Sequence, residues 1–323
     1  PVKRRELFGV MHLKGFVFDD IVFYTGASVN NVYLNYNNAK YRLDRYHEIH
    51  SKDLADTLCQ YTTDSFHQNF AVQDFSGNAI KPAKDIKVEI KALQRSLTTS
   101  QYSFKGCKKL KEDEIGITPI AGLGKRNNLL NKSILWAIAS ARKSVFICTP
   151  YFNPPKNLQE HLEMAIERGV EVTLVVGDKV ANDFYIDPSK EFSSIGAIPY
   201  VYEQNLIDLI NRHQKYIDEG KLNIYLWRDG VNTYHLKGLF IDRHLAIVTG
   251  NNLNPRAWAL DLENGLFIQD PNHLLQEKFM HEKQYILRHT TNLERFEDYP
   301  EQVQKILKKV RRLRASFILK KLL

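Results

Sequence analysis

The chain has 323 residues, 43% hydrophobic and 25% charged, a composition that excludes intrinsic disorder, a collagen-like repeat or a coiled coil and allows roughly two globular domains. No run approaches the ~18 apolar residues of a spanning helix. The net charge of +8 is local: residues 303–323 hold eight bases and no acid, leaving 37 bases against 37 acids elsewhere, whereas a nucleic-acid enzyme more often spreads its basic charge over its body.

Residues 1–18 begin basic and carry Lys14, so they do not read as a signal peptide. Cys59, Cys107 and Cys148 are scattered without metal-ligand spacing, which suits a reducing compartment and argues against a disulfide framework. The first motif is Met11-His12-Leu13-Lys14-Gly15-Phe16-Val17-Phe18-Asp19. An apolar run follows, then the turn Gly26-Ala27-Ser28-Val29-Asn30, the acid Asp44, and helical patterns over residues 51–70 and 85–100. Residues 122–125 read Gly-Leu-Gly-Lys, but Pro119 and Arg126 stand where a phosphate-binding loop needs Gly and Ser or Thr, so a structural turn is the better reading. Residues 129–141 predict a helix and 144–148 a buried strand, with Cys148 as a core residue. Asn153 is placed to cap a helix begun by Pro154, with Leu158, Leu162, Ala165 and Ile166 as its core face and Gly169 as its stop. Strands are expected at 170–176 and 222–227, with a helix at 206–217 between them.

The motif then returns as Tyr234-His235-Leu236-Lys237-Gly238-Leu239-Phe240-Ile241-Asp242. It is again followed by a glycine turn with Asn four residues on, Gly250 to Asn254, then by the acid Glu263 and a helical pattern over 274–288. The tail carries Val303, Ile306, Leu307, Val310, Leu313 and Phe317 at helical spacing among its bases. Such a basic amphipathic helix can lie on an anionic bilayer or simply pack on the body.

One module used twice is the economical reading. Read as strands, the motifs put His12 with Lys14 and His235 with Lys237 on common faces. Two His/Lys pairs at a two-fold interface suit phosphodiester chemistry. One imidazole attacks phosphorus, the other handles a proton, and the lysines neutralise the transition state. Asn30 and Asn254 are candidate donors to phosphoryl oxygens, and Asp44 and Glu263 are candidates to orient the imidazoles. Asp19 and Asp242 fall at the strand ends and read as structural partners. No metal or cofactor is called for.

The duplicated HxKxxxxD resembles the phospholipase D superfamily. The flanking text, above all residues 249–258 reading TGNNLNPRAW, resembles more narrowly the Gram-negative type of phosphatidylserine synthase, the CDP-diacylglycerol–serine O-phosphatidyltransferases. Stretches 12–30, 41–46, 149–152, 177–186, 196–202 and 232–264 carry the likeness. It implies an α/β fold of two similar modules, each a mixed, mostly parallel sheet flanked by helices, packed as a pseudo-two-fold pair. The modules are expected at residues 1–112 and 113–300, followed by a basic amphipathic helix at 301–323. With only eleven residues before His12, the first module reads as abbreviated at its N-terminal side, through a segment missing from this chain. The resemblance further implies metal-independent ping-pong transfer. His12 would displace CMP from CDP-diacylglycerol, and His235 would deprotonate L-serine. Polar groups near residues 178–185 are candidates for the serine pocket. Lys305 to Lys321 would meet an anionic phospholipid surface, giving a cytoplasmic enzyme held peripherally at the inner membrane. The alternatives are another phosphodiesterase activity of the superfamily (phospholipase D, cardiolipin synthase-like or nuclease) and a non-catalytic membrane-binding role.

Overall fold

Successive side chains of a strand point to opposite faces, so a strand that is apolar throughout must be covered on both sides. The apolar runs of the second half meet that demand inside one large sheet. The structure is a computed structural model describing residues 9–293 apart from 38–39, 75, 77–78, 107–108, 188, 191–195 and 197; Cys107 and the expected tail helix at 301–323 lie outside the described residues.

The first half contains β1 (Phe16–Phe18), β2 (Ile21–Thr25), the short α1 (Asn31–Leu34), β3 (Arg42–Leu43), β4 (Tyr46–His50), α2 (Lys52–Thr62) and α3 (Lys87–Leu97). Then come β5 (Gly116–Leu123), α4 (Leu129–Ser140), β6 (Ser144–Thr149), α5 (Lys156–Glu167), β7 (Glu171–Gly177), α6 (Ile198–Asp218) and β8 (Leu222–Trp227). The second motif adds β9 (Thr233–Tyr234), β10 (Gly238–Ile241), β11 (Leu245–Thr249), α7 (Pro255–Ala259), β12 (Leu262–Gln269), α8 (Gln276–Leu287) and β13 (Thr290–Asn292).

Eight strands form one sheet in the order β13-β8-β7-β6-β10-β11-β12-β5. The sheet is mixed, as expected, but it is not mostly parallel: only β6-β7 and β7-β8 pair in parallel. Those two connections run through α5 and α6, long enough to cross over, whereas β10 and β11 are joined by a tight turn that permits only an antiparallel pair. The first half's sheet, β1-β2-β4, is wholly antiparallel, with a tight turn joining β1 to β2 and a longer connection through α1 and β3 joining β2 to β4. It repeats the β10-β11-β12 arrangement at smaller scale.

Both faces of the large sheet are buried. Val145, Ile147, Val172, Leu174, Leu239 and Ile247 pack under α4, α5 and α6. Their neighbours Phe146, Cys148, Val175, Phe240 and Val248 face Val22 and Tyr24 of β2 and Leu54 and Leu58 of α2. Each such fully buried side chain contributes about 1.5–3 kcal/mol. The second contact layer joins the two halves.

Local expectations fare unevenly. Asn153 does not cap α5. Pro154 and Pro155 hold the chain extended, and the helix begins only at Lys156 with Pro155 at its cap position; Asn153 instead accepts from Asn205 Nδ2 at 3.0 Å. The helix predicted over 51–70 stops as α-helix at Thr62, and a π-turn continues it to His67. The 206–217 helix starts earlier, at Ile198, with Pro199 in its first turn, and kinks at His213. The Gly-Leu-Gly-Lys segment is the end of β5 and the start of the turn into α4, where Asn128 caps the helix by accepting from Asn131 N at 3.0 Å.

Candidate active site

Neither HxK segment lies in a regular strand, contrary to the expectation, so strand alternation is not what sets His and Lys side by side. His12 and Lys14 sit between an isolated bridge at Met11 and the start of β1, and His235 and Lys237 fill the link from β9 to β10. Each link ends in a glycine of left-handed backbone, Gly15 at φ 115° and Gly238 at φ 125°. A Cβ at Gly238 would also overlap the Arg45 guanidinium, so only glycine fits there.

Each link is fixed by the opposite half. His12 N donates to Leu262 O at 2.9 Å, and His235 N donates to Leu43 O at 2.8 Å. The next residue in each case is the acid. Glu263 therefore accepts from His12 Nδ1 at 2.9 Å, and Asp44 accepts from His235 Nδ1 at 2.8 Å. Each acid orients the histidine of the other half. A carboxylate can only accept, so Nδ1 carries the proton and Nε2 keeps its lone pair, which in His235 accepts from Lys237 Nζ at 2.9 Å.

The crossing continues one residue further. Asn264 donates to Lys14 O at 2.9 Å and accepts from Lys14 N at 2.8 Å, while Arg45 donates to Lys237 O at 3.2 Å. Tyr24 and Tyr102 bond Asn264 in turn. A Cβ at Gly250 would run into the Lys14 side chain, which places the second half's turn directly against the first half's lysine.

Asn30 and Asn254 commit their side-chain oxygens to helix caps, accepting from Tyr33 N at 3.2 Å and Ala257 N at 2.9 Å. Their amide nitrogens are then the groups that can serve a phosphoryl oxygen. Asp242 lies outside this cluster: it accepts from the backbone N–H groups of Arg142, Lys143 and Ser144. Asp19 occupies the corresponding left-handed turn position, φ 52° in both.

Electrostatics separates the two halves. Lys237 is fully buried, and desolvation lowers its pKa to about 8 even though Asp44 opposes the shift. Burial and the Lys237 charge push His235 down to about 3, against the pull of Asp44. Burial works against ionisation of Asp44, yet Lys237 and His235 hold its carboxyl below the ordinary range. Glu263, equally buried, is shifted upward by that burial, and His12 and Lys14 only temper the shift. Lys14 is lowered by burial while Glu263 and Asp44 raise it. The two lysines and two acids thus share one field. Cys148 stays a core thiol, pushed up to about 11 by burial.

Sequence reasoning missed a second layer around His235. Tyr33 Oη lies 2.9 Å from His235 Nδ1 and accepts from Arg42 Nη1 at 3.2 Å. Arg42 also donates to Thr233 and pairs with Asp183. Asp183 falls within the 178–185 stretch expected near the serine pocket, but no local pattern ties it to Tyr33 and Arg42.

Two crossed His/Lys segments sharing one buried field define a phospholipase D-like class of protein. A family model described as the PLD-like domain of cardiolipin synthase matches residues 134–283. The whole chain is 44% identical to a CDP-diacylglycerol–serine O-phosphatidyltransferase of Haemophilus influenzae, spanning 72% of that relative, and 40% identical to the Escherichia coli enzyme of the same name, again spanning 72%. The crystal structure of the Haemophilus influenzae phosphatidylserine synthase superposes with a TM-score of 0.91, covering all of this chain and 73% of that one. The chain belongs to the CDP-diacylglycerol–serine O-phosphatidyltransferase family.

Proposed function

We propose that the protein makes phosphatidylserine and CMP from CDP-diacylglycerol and L-serine in two displacements at one site. The observation that carries this reading is the crossed pairing of each histidine with the acid of the other half. His12 Nε2 attacks the phosphorus bearing the diacylglycerol. The bond to CMP breaks, and its electron pair leaves on the CMP phosphate, a leaving group stable enough to need little protonation. Serine's hydroxyl oxygen then attacks the phosphatidyl-histidine while its proton passes to His235 Nε2. The P–N bond breaks and its electrons return to the His12 ring.

The asymmetry supports this division of roles. His12 is the more accessible ring, its side chain 25% exposed against 13% for His235, as suits the group that meets the lipid phosphorus. Lys14, Lys237 and the amide nitrogens of Asn30 and Asn254 would stabilise the charge of the transition state. A cavity of about 400 Å³ beside Lys14 has a mixed lining, Leu13, Val17 and Leu58 on one hand and Thr62, Thr63 and His67 on the other, and is a candidate berth for the diacylglycerol backbone. No helix among the described residues is long and apolar enough to cross a membrane. The basic segment at 305–321 would bring the site to an anionic bilayer, with the enzyme held peripherally on its cytoplasmic face.

The test uses labelled CDP-diacylglycerol in mixed micelles with and without serine. Serine-dependent phosphatidylserine, lost in His12→Ala and His235→Ala, is expected. Full turnover in either variant would remove the histidines from the mechanism.

A further inference from the structure

The second displacement needs a place for serine within reach of His235. Serine is a zwitterion: an ammonium and a carboxylate are attached to one carbon, and the reacting hydroxyl is attached to the next. A complementary receptor presents a fixed cation and a fixed anion side by side, close to the base.

The described structure holds such a pair. Arg42, beside β9, and Asp183, in the loop after β7, are 141 residues apart in sequence and form an ion pair. Both remain partly open, with side chains 22% and 25% exposed. Thr233 accepts from Arg42 Nε at 3.2 Å, and the guanidinium stacks over the Tyr33 ring at 4.8 Å, so the cation is locked in orientation. Three of the five guanidinium donors are used by Thr233, Tyr33 and Asp183, which leaves two for a ligand carboxylate. Tyr33 links the pair to the base, its hydroxyl 2.9 Å from His235 Nδ1. Of the polar groups in the same loop, Asp178 and Asn182 are engaged, accepting from the backbone of Val180 and Phe184.

We propose that Arg42 and Asp183 form the amino-acid subsite, Arg42 taking the substrate's carboxylate and Asp183 its ammonium, with the hydroxyl directed at His235. This rests on the transferase reading above. It makes the pair a specificity device: an amino alcohol without the carboxylate, or a hydroxy acid without the ammonium, satisfies only half of it.

The experiment compares serine, ethanolamine and glycerate as acceptors for wild type, Arg42→Gln, Arg42→Lys and Asp183→Asn. Exchange of labelled CMP into CDP-diacylglycerol without any acceptor reports that each variant folds and completes the first displacement. Loss of one charge-assisted contact is expected to raise KM for serine about 10–100-fold. Arg42→Gln should erase the preference for serine over ethanolamine, and Asp183→Asn the preference for serine over glycerate. Equal losses for all acceptors would overturn the proposal, reducing the pair to support for Tyr33 and His235. So would unchanged preferences in Arg42→Lys and Asp183→Asn if Arg42→Gln loses exchange. Wild type that exchanges CMP but forms no phosphatidylserine would instead defeat the transferase reading itself.

Discussion

His12 and His235 stand on nearly identical motifs, each held by a buried carboxylate, yet their surroundings differ. Lys14 keeps a partly open side chain, and Glu263 near it is shifted toward its neutral form. Lys237 is sealed from solvent against an Asp44 held in its charged form, and His235 is driven neutral. Duplication supplied the same residue types twice. The packing around each copy gives the two half-sites different burial and different fields, so the same residue types need not play the same part.

Removing each imidazole should have the largest effect. His12→Ala should abolish both CMP exchange and phosphatidylserine formation, by about 10³-fold or more. His235→Ala should abolish transfer to serine while a phosphatidyl adduct accumulates on His12, detectable by mass spectrometry of the quenched enzyme. An adduct on His235 in the His12 variant would reverse the assignment.

The acids give the next largest contrast. Asp44→Asn leaves Lys237 buried without its anion and should cost about 3–5 kcal/mol in denaturant unfolding. Glu263→Gln, at a carboxyl whose pKa burial raises and which faces the half-open Lys14, should cost less stability while still lowering activity about 10–100-fold through a loosened His12. Equal destabilisation by both would mean that the two half-sites are electrostatically alike.

Titration separates the lysines. With Lys237 near pKa 8, kcat/KM should fall as pH rises through about 8, and Lys237→Arg should move that limb upward. Stability runs the other way. Between about 8 and the unfolded value near 10.5 the unfolded chain binds more protons at this group, so its contribution to stability rises with pH. His235 behaves alike in acid: its contribution is present above its ordinary pKa of 6.5 and is lost as pH falls toward about 3. A flat activity profile from pH 7 to 9 would remove Lys237 as the titrating cation.

The smallest effect expected is at the supports. Asn264→Ala frees the backbone of Lys14 and should lower kcat/KM about tenfold while leaving the pH limb of Lys237 in place. A shift of that limb would show that the halves are coupled more tightly than their hydrogen bonds indicate.

Much of this was legible in one dimension. The repeated His-Leu-Lys-Gly, the glycine turns with Asn four residues on, and the apolar runs of β6, β7 and β8 are local patterns, and local patterns report local structure. The mixed character of the large sheet was not legible in full, because parallel or antiparallel pairing depends on which strands become neighbours. Nor did the sequence show that both HxK segments precede their strands, since a glycine-terminated extended link has the same text as a strand start.

What the sequence determined by itself was the inventory: two imidazoles, two lysines, two acids, two asparagines, and the family likeness they carry. Tertiary structure alone decided the crossing of the acids, the sealing of Lys237, and the meeting of Tyr33, Arg42 and Asp183 beside His235. The acids follow their turns by 18 and 13 residues, so no spacing rule tells which imidazole each will reach. That choice belongs to the packing of one half on the other, where residues hundreds of positions apart become neighbours.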